Sequence, residues 1–248
     1  KDYAEIYRFQ MQSYEGKKEY KKMIDAMLTL YDKKGDSDYI SMKRLKKDRR
    51  YAVAVLKERI ASEKDNALWR VVLATFYEKC HMYSDALPIF NGLVDEYGVG
   101  ENLLDERASC YEEMGMTEFA LDDINKALEI CSEKDMAYFY LRRANVLRYD
   151  GQYDAAIEDL TKYVDRYPTD AYGYYARGWC KELSGNLNGA MEDYNDGIAV
   201  DEDYPYIFLM RGNLYLQNGD EEKAKADFQT VVAKDTTVSI DARLTPSP

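Results

Sequence analysis

The residues of this chain that could carry out chemistry are few: one histidine and four cysteines. Nucleophilic catalysis needs a general base beside a nucleophile, and the sequence gives His81 no such partner. The cysteines, at positions 80, 110, 131 and 180, contain no Cys-x-x-Cys pair of the kind that binds zinc or performs redox chemistry. We therefore predict that the chain has no catalytic residue, no metal site and no cofactor, and that it is not an enzyme.

Adjacent carboxylates are the other candidates for acid–base or metal chemistry. The pairs Asp122–Asp123 and Glu221–Glu222 are interpreted as residues at the starts of helices, where the helix dipole stabilises negative side chains. No phosphate loop, zinc motif or calcium loop accompanies them. A structural role for these pairs is therefore favoured over a chemical one.

Charge restricts the partners of this chain. Its 34 lysines and arginines are outnumbered by 46 aspartates and glutamates, which gives a net charge of −12. An acidic chain repels phosphate groups, so we expect no binding to nucleic acid or to anionic membranes.

No apolar run approaches the roughly 20 residues of a membrane-spanning helix, so we expect no membrane insertion. A local basic run, 43–50, is interpreted as a solvated helix face; the alternative is a patch for an acidic partner.

Alanine recurs at an almost constant interval along the chain. Successive members lie 34, 34, 36, 34 and 34 residues apart, and a large apolar residue follows each of them by four positions. A spacing of four places both residues on one helix face. The alanines are Ala52, Ala86, Ala120, Ala156, Ala190 and Ala224, followed by Leu56, Phe90, Ile124, Leu160, Tyr194 and Phe228.

Two further series of residues have the same period. Small residues precede the alanines by 12 positions, and glycines lie between the two series, where they would end a helix by entering the left-handed region. The spacing predicts units of two helices joined by a short turn, which must stack because one unit cannot bury its apolar face alone. The small residues are Ala74, Ala108, Ala144, Gly178 and Gly212, and the glycines are Gly115, Gly151, Gly185 and Gly219.

This pattern resembles the tetratricopeptide repeat (TPR) family, in which a small residue and an aromatic on one helix precede alanine and a large residue on the next. The match is clearest at 208–235, which reads FLMRGNLYLQNGDEEKAKADFQTVVAKD, and at 140–168. The resemblance implies an all-α fold and a protein of the bacterial type of this family. The expected architecture is an α-α superhelix, a right-handed TPR solenoid of about seven helical hairpins with the first two divergent.

The resemblance divides the chain into three predicted parts. Residues 1–66 are expected to form divergent hairpins continuous with the solenoid, and residues 236–248 an extended tail ending in LTPSP. Because loops tolerate insertions at little cost, the single interval of 36 predicts an insertion in the loop 131–135. The five regular units are predicted at 67–100, 101–136, 137–170, 171–204 and 205–235.

The repeat also gives expectations for single residues. His81 occupies the position that Gly115 fills one unit later, so we predict that it ends a helix in the left-handed region. Cys110 and Cys180 share an apolar position and are predicted to be buried. Cys131 falls in the inserted loop and is expected to be more exposed.

The C-terminal end of the array shows no capping helix in the sequence. Solenoids usually need one at each end, so Phe228, Val231 and Val232 are expected to expose an apolar surface. Either the natural chain continues or this end packs against something, and a homodimer through it is one candidate.

The first helices of such a solenoid line its concave face, and in the last three units that face is rich in tyrosine and asparagine. Aromatic side chains give contact area at low entropic cost, and asparagine amides can pair with a peptide backbone. We predict a peptide-binding groove; the alternative is that these tyrosines pack between repeats. The groove residues are Tyr138, Leu141, Arg142, Asn145, Tyr172, Tyr175, Trp179, Tyr206, Leu209 and Asn213.

These patterns favour a non-enzymatic scaffold or adaptor that binds a protein or an extended peptide. Two alternatives stay open: a self-associating assembly module, and a sensor or regulatory fragment of a larger protein. Some members of the family grip a peptide carboxylate with paired lysines, but Val71, Leu141 and Leu209 occupy those positions, so that specific function is not expected. The bacterial cytoplasm and the periplasm fit the sequence equally well.

Overall fold

The computed structural model describes residues 3–34 and 40–234, and the regular elements in these ranges are all helices. The tail predicted at 236–248 lies outside the described residues. Within those ranges no helix is both long and apolar enough to cross a membrane. The chain separates into two compact units, residues 1–123 and 124–248.

The first unit begins with four irregular helices and continues with regular hairpins. Asp48 starts the fourth helix by accepting a hydrogen bond from the backbone amide of Tyr51 at 3.1 Å. The irregular helices are α1 (Tyr3–Gly16), α2 (Tyr20–Lys34), α3 (Met42–Leu45) and α4 (Arg49–Ser62), with a 3₁₀ turn at Lys46–Asp48. The hairpin helices are α5 (Leu68–Lys79), α6 (Tyr83–Tyr97), α7 (Glu101–Glu113) and α8 (Thr117–Ile130), the last of which extends into the second unit.

The fully buried Trp69 joins the irregular helices to the first regular one. Tyr31 of α2 meets the Trp69 ring edge-on, with 4.8 Å between ring centroids. Arg59 of α4 lies over the same ring at 5.0 Å and donates two hydrogen bonds to Asp32 at 2.6 and 2.7 Å. The Trp69 indole donates to Glu63 at 2.8 Å. The divergent N-terminal helices α2 and α4 therefore share one core with α5.

The second unit contains three complete hairpins. The loop predicted at 131–135 lies between α8 and the first of them. Gly151, Gly185 and Gly219 follow the first helix of each hairpin with φ angles of 79°, 87° and 78°, as the glycine series predicts. The helices are α9 (Met136–Tyr149), α10 (Tyr153–Arg166), α11 (Ala171–Leu183), α12 (Leu187–Val200), α13 (Pro205–Gln217) and α14 (Glu221–Lys234).

Small residues let the paired helices of this unit approach closely. A Cβ atom on Gly178 would lie 2.6 Å from the ring of Tyr194, and one on Gly212 would lie 2.7 Å from the ring of Phe228. Contacts this short do not occur between real atoms, so each aromatic ring occupies the space that a side chain would need. The alternation of small and large residues in the sequence is therefore a packing relationship between the two helices of a hairpin.

The expected apolar surface at the C-terminal hairpin is only partly present. Val232 is 40% exposed, as expected, but the expectation for Phe228 and Val231 is wrong, because they are 1% and 0% exposed. The Phe228 ring lies against Gly212 of α13, so the two helices of the hairpin help to bury it. The homodimer through this end stays a prediction.

Candidate functional site

A buried ion pair recurs in four hairpins and fixes the first helix of each against the second. An arginine on the first helix contacts an aspartate 16 residues later on the second, and the aspartates are only 1–5% exposed. Since burying a carboxylate is costly unless it is paired, both partners are held in one geometry. The pairs are Arg107–Asp123, Arg143–Asp159, Arg177–Asp193 and Arg211–Asp227, at 2.6, 2.6, 2.8 and 2.8 Å.

This ion pair overturns the interpretation of Asp122 and Asp123 as residues at a helix start. Both lie in the middle of α8, where Asp123 accepts hydrogen bonds from Arg107 at 2.6 and 2.7 Å. The hydrogen bond to Asp123 also raises the pKa of Arg107. Glu221 and Glu222 do lie in the first turn of α14, as predicted.

Three of these arginines also connect neighbouring hairpins through an asparagine. In each case the guanidinium donates to an asparagine on the second helix of the preceding hairpin. Thr161 occupies the equivalent position before Arg177, and its hydroxyl instead donates to the backbone carbonyl of Ile157 at 2.8 Å. These three arginines thus connect the first helix of one hairpin to the second helix of the hairpin before it. The contacts are Arg107 to Asn91 at 3.0 Å, Arg143 to Asn125 at 2.7 Å and Arg211 to Asn195 at 2.8 Å.

The second unit carries a continuous group of aromatic side chains on α11, on α13 and on the residue before α13. Tyr175 is its centre: its ring centroid lies 5.9 Å from those of Tyr172 and Trp179, 5.7 Å from Tyr204 and 6.4 Å from Tyr206. Tyr204 and Tyr206 are 5.7 Å apart. These five residues are called the aromatic cluster below. Four of them belong to the predicted groove, and the structure brings these four together.

Tyr204 is the member that sequence reasoning missed. It is the residue before α13, in the loop between two hairpins, and so falls outside the repeating positions of the first helices. Its ring lies edge-on to Tyr175, and burial raises its pKa. The neighbouring Pro205, which starts α13, was the available signal because it fixes the chain direction at a helix start.

The remaining predicted groove residues also keep solvent-accessible surface. Tyr138 is 47% exposed and packs edge-on against Phe139, with 5.1 Å between ring centroids. Asn213 on α13 is exposed. Leu141, Arg142, Asn145 and Leu209 are half-buried.

Arg148 places a positive charge beside the aromatic cluster. Its guanidinium carbon lies 4.0 Å from the centroid of Trp179 and 4.3 Å from that of Tyr149, which is 81% exposed. Guanidinium groups are attracted to aromatic faces in this way. Unlike the arginines of the buried pairs, Arg148 forms no ion pair with any residue that the structure describes. Its donors are available to a ligand.

The hydroxyl groups of the tyrosines divide into two sets. Tyr163 donates to Asp170 at 2.5 Å, and Tyr194 donates to Glu182 at 2.8 Å. These hydroxyls are used within the fold. The four tyrosines of the aromatic cluster, in contrast, make no side-chain hydrogen bond within the described part of the chain. None of these four tyrosines is buried, and Tyr206 is 44% exposed, so their hydroxyls can bond to solvent or to a partner from outside.

The histidine and the cysteines, which could in principle be catalytic or bind metal, are not members of the aromatic cluster. His81 has a φ angle of 60°, as predicted, and its Nδ1 atom lies 2.6 Å from the Tyr83 hydroxyl. Cys110 and Cys180 are fully buried, as predicted, and burial raises their pKa values to about 12 and about 11. Cys131 is half-buried. Among the described residues, no group of histidine, cysteine, aspartate and glutamate side chains could hold a metal ion.

Comparison with known proteins identifies the repeats. Family models described as "Tetratricopeptide repeat" match residues 138–170 and 206–235, and one described as "TPR repeat" matches 183–219. The chain therefore contains tetratricopeptide repeats in these residues. Repeats of this family are generally non-enzymatic modules for protein–protein interaction, and the chain has the fold of such a scaffold.

Curated relatives match only part of the chain. A TPR repeat-containing protein of Methanocaldococcus jannaschii is 28% identical over 113 residues, which is 46% of this chain and 19% of that protein. Photosystem I assembly protein Ycf3 of Acaryochloris marina is 35% identical over 76 residues, which is 28% of this chain and 46% of that protein. The chain thus spans less than half the length of these relatives.

Solved structures show the same fold. MamA from Desulfovibrio magneticus RS-1, from residue 41 to its end, superposes with a TM-score of 0.62 at 18% identity, covering 70% of this chain and 97% of that one. A tetratricopeptide repeat protein from Parabacteroides merdae gives a TM-score of 0.60 at 18% identity, and 94% of each chain is covered. At these identities the likeness concerns the fold alone.

Proposed function

We propose that the chain is a scaffold whose second unit binds an extended peptide segment of a partner protein across the aromatic cluster. The observation that carries the proposal is the set of four tyrosine hydroxyls in the cluster that make no hydrogen bond within the described residues. Each can donate to a peptide carbonyl or accept from a peptide amide. The rings beneath them supply apolar contact area.

The surroundings of the cluster support a preformed surface. Its residues lie on α11 and just before or within α13, and the neighbouring helices are locked by the Arg177–Asp193 and Arg211–Asp227 pairs. Gly197 allows Ile207 to approach so closely that a Cβ atom would lie 2.6 Å from it. A surface that is already ordered loses little entropy on binding, which strengthens the association.

The charges around the cluster suggest what the peptide carries. Arg148 stacks on Trp179 and keeps its donors free for a carbonyl or carboxylate group of the peptide. Asn213 is exposed on α13 and offers an amide donor and acceptor to a backbone. The preferred ligand is therefore an extended segment with apolar or proline side chains over the rings and a carbonyl or carboxylate beside Arg148.

A phage library of random peptides, selected on the purified chain, tests this proposal. The peptide that is enriched would be synthesised and titrated by calorimetry into the unaltered chain and into the double variant Tyr172→Ala/Trp179→Ala. Interface aromatic residues often contribute more than about 1 kcal/mol each, so we expect the variant to bind at least about tenfold more weakly.

The matched control is Tyr97→Ala/Phe119→Ala, which removes two exposed aromatic side chains of the first unit. We expect it to bind the selected peptide as the unaltered chain does. The proposal would be wrong if the library yielded no peptide. It would also be wrong if both variants lost affinity equally, because the aromatic cluster would then not be the binding surface.

A further inference from the structure

A shallow pocket in the first unit is lined by four lysines and a methionine. Met42, Lys43, Lys46 and Lys47 come from α3 and the 3₁₀ turn that follows it, and Lys79 comes from the end of α5. Positive charges from two separate parts of the sequence therefore meet at one place. This site is called the lysine pocket below.

Three of these lysines lack an ion-pair partner among the residues that the structure describes. Lys43, Lys46 and Lys47 are exposed and form no ion pair with any residue in the described ranges. Lys79 differs, because its ammonium lies 2.9 Å from the carboxylate of Glu78. The lysine pocket is thus positive chiefly through the three lysines of the α3 segment.

The nearest carboxylate in the sequence, that of Asp48, forms no ion pair with these lysines in the described residues. Its side chain instead accepts the hydrogen bond of the Tyr51 amide at the start of α4. On the other side the exposed Arg49 and Arg50 add further positive charge to the segment. Like charges around a concave surface reinforce one another and raise the local positive potential.

This local charge is opposite in sign to that of the whole chain. The net charge is −12, and ionic screening confines the field of an exposed group to about 8 Å at physiological salt. A short anionic segment placed against Lys43, Lys46 and Lys47 therefore experiences mainly these three lysines, whereas Lys79 also interacts with the carboxylates of Glu78, Asp105 and Glu106. A nucleic acid or an anionic membrane extends far beyond that distance and meets the acidic remainder of the protein.

We propose that the lysine pocket binds an acidic segment of a partner protein, with carboxylates placed against Lys43, Lys46 and Lys47. Met42 is half-buried in the lining and offers a flexible apolar contact, so the segment carries an apolar side chain among its acidic residues. The site lies in the first unit and shares no residue with the aromatic cluster. The two proposals therefore succeed or fail independently.

Fluorescence anisotropy with a short labelled peptide tests this second surface. The probe alternates glutamate and alanine around one central leucine, and a matched peptide carries glutamine in place of every glutamate. The variant Lys43→Gln/Lys46→Gln/Lys47→Gln is compared with Lys57→Gln/Lys64→Gln/Lys225→Gln, which removes three exposed lysines from other places. Both variants lower the net charge equally, so a difference between them reports the local site.

We expect the unaltered chain to bind the glutamate peptide and not the glutamine peptide, with an affinity that falls as salt rises. The pocket variant should bind at least about tenfold more weakly, since each exposed charge pair contributes modestly and three are removed. The control variant should change binding less than about threefold. A single Lys46→Glu variant, checked by circular dichroism, should reproduce the loss with one substitution.

Four results would overturn the inference. The first is an unaltered chain that does not bind the glutamate peptide, and the second is an equal loss in the two triple variants. The third is tighter binding of the pocket to duplex DNA or to phosphatidylserine vesicles than to the peptide, because the partner class would then be wrong. The fourth is salt-sensitive self-association that the pocket variant abolishes while peptide binding persists, because the occupant would then be a second copy.

Discussion

The guanidinium of Arg177 on α11 lies against the carboxylate of Asp193 on α12, with the shortest nitrogen–oxygen distance at 2.8 Å. Lys181 reaches the second carboxylate oxygen at 2.9 Å, and Asp193 itself is 2% exposed. One buried negative charge thus holds two cations of the facing helix. Losing the carboxylate would leave both cations without their partner in a poorly hydrated place.

Replacing this carboxylate should lower the stability of the protein. We expect Asp193→Ala to cost about 3 kcal/mol, the lower end for breaking a buried pair, because Arg177 and Lys181 keep some contact with solvent. Scanning calorimetry should show a fall in Tm of about 6 °C or more. The matched change Asp196→Ala, at an exposed position of the same helix, should shift Tm by less than about 2 °C. Equal shifts in the two variants would contradict the role given to the pair.

Glycine-to-alanine changes should have opposite effects at two helical positions. At Gly178 the new methyl group would lie 2.6 Å from the buried ring of Tyr194, so we expect a loss of about 1–3 kcal/mol from overpacking. At Gly92 in α6 nothing lies within 4 Å of the new methyl group, and the substitution should stabilise the helix by about 0.5–1 kcal/mol. Thermal melts of the two variants would measure this. A stabilising Gly178→Ala would show that the close approach of α11 and α12 is not required.

The four thiols should differ in reactivity. Cys80, Cys110 and Cys180 are buried, and burial raises the pKa of the Cys110 thiol to about 12 and that of Cys180 to about 11. The thiolate is the reactive form, so Cys110 and Cys180 are both inaccessible and protonated at neutral pH, and Cys80 is inaccessible. A disulfide reagent added to the native protein should modify Cys131 first, and Cys131→Ser should remove that fast phase. A fast phase that survives Cys131→Ser would show that one of the buried thiols becomes accessible.

As the solution is made alkaline, the protein should unfold at a lower pH than the loss of its ion pairs alone would predict. Burial raises the pKa of Tyr194, with a further contribution from Glu182, and burial also raises the pKa values of Tyr163 and Tyr204. A raised pKa means that the native state keeps its proton where the unfolded chain has lost it. Above the ordinary tyrosine value of about 10, the native state therefore binds more protons and its stability falls as pH rises.

Ultraviolet titration of the tyrosines, followed together with circular dichroism, would measure this effect. We expect a group of tyrosines to ionise only as the helices unfold, and Tyr194→Phe to reduce the loss of stability between neutral and alkaline pH. The same variant should cost about 1 kcal/mol at neutral pH, because it removes the hydrogen bond to Glu182. Full ionisation of all tyrosines before unfolding would contradict the prediction.

Much of the fold was predictable because the repeat encodes local packing. The small residue at Gly212 and the large one at Phe228 meet in the structure, and the positive φ angles fall on the glycines that the spacing marks. The residues of the buried ion pairs also recur with this period. Each arginine lies one position before the small residue, and each aspartate lies three positions after the alanine. Charged residues in amphipathic helices are normally solvated, so the pattern alone favoured a surface role for them.

The candidate site was predictable only in part. Tyr172, Tyr175, Trp179 and Tyr206 were found because they recur at one face of successive first helices, and the structure places their rings together. Tyr204 was missed because a loop residue has no fixed position in a helical repeat. The convergence of Lys79 with the lysines of the α3 segment was also not predictable, because it depends on how two divergent helices pack against a regular one.

Arg107, Arg143 and Arg211 each make their charged contact within their own hairpin and a neutral contact with the hairpin before it. This division affects how such an array can gain or lose repeats. The aspartate partner of each arginine lies in the same hairpin, and only the neutral asparagine contact crosses to the hairpin before it. A duplicated or deleted cassette of about 34 residues would carry its own charge pair with it. Recombination between repeats at such a boundary would exchange one amide or hydroxyl neighbour for another, and no buried charge would be stranded at the new junction.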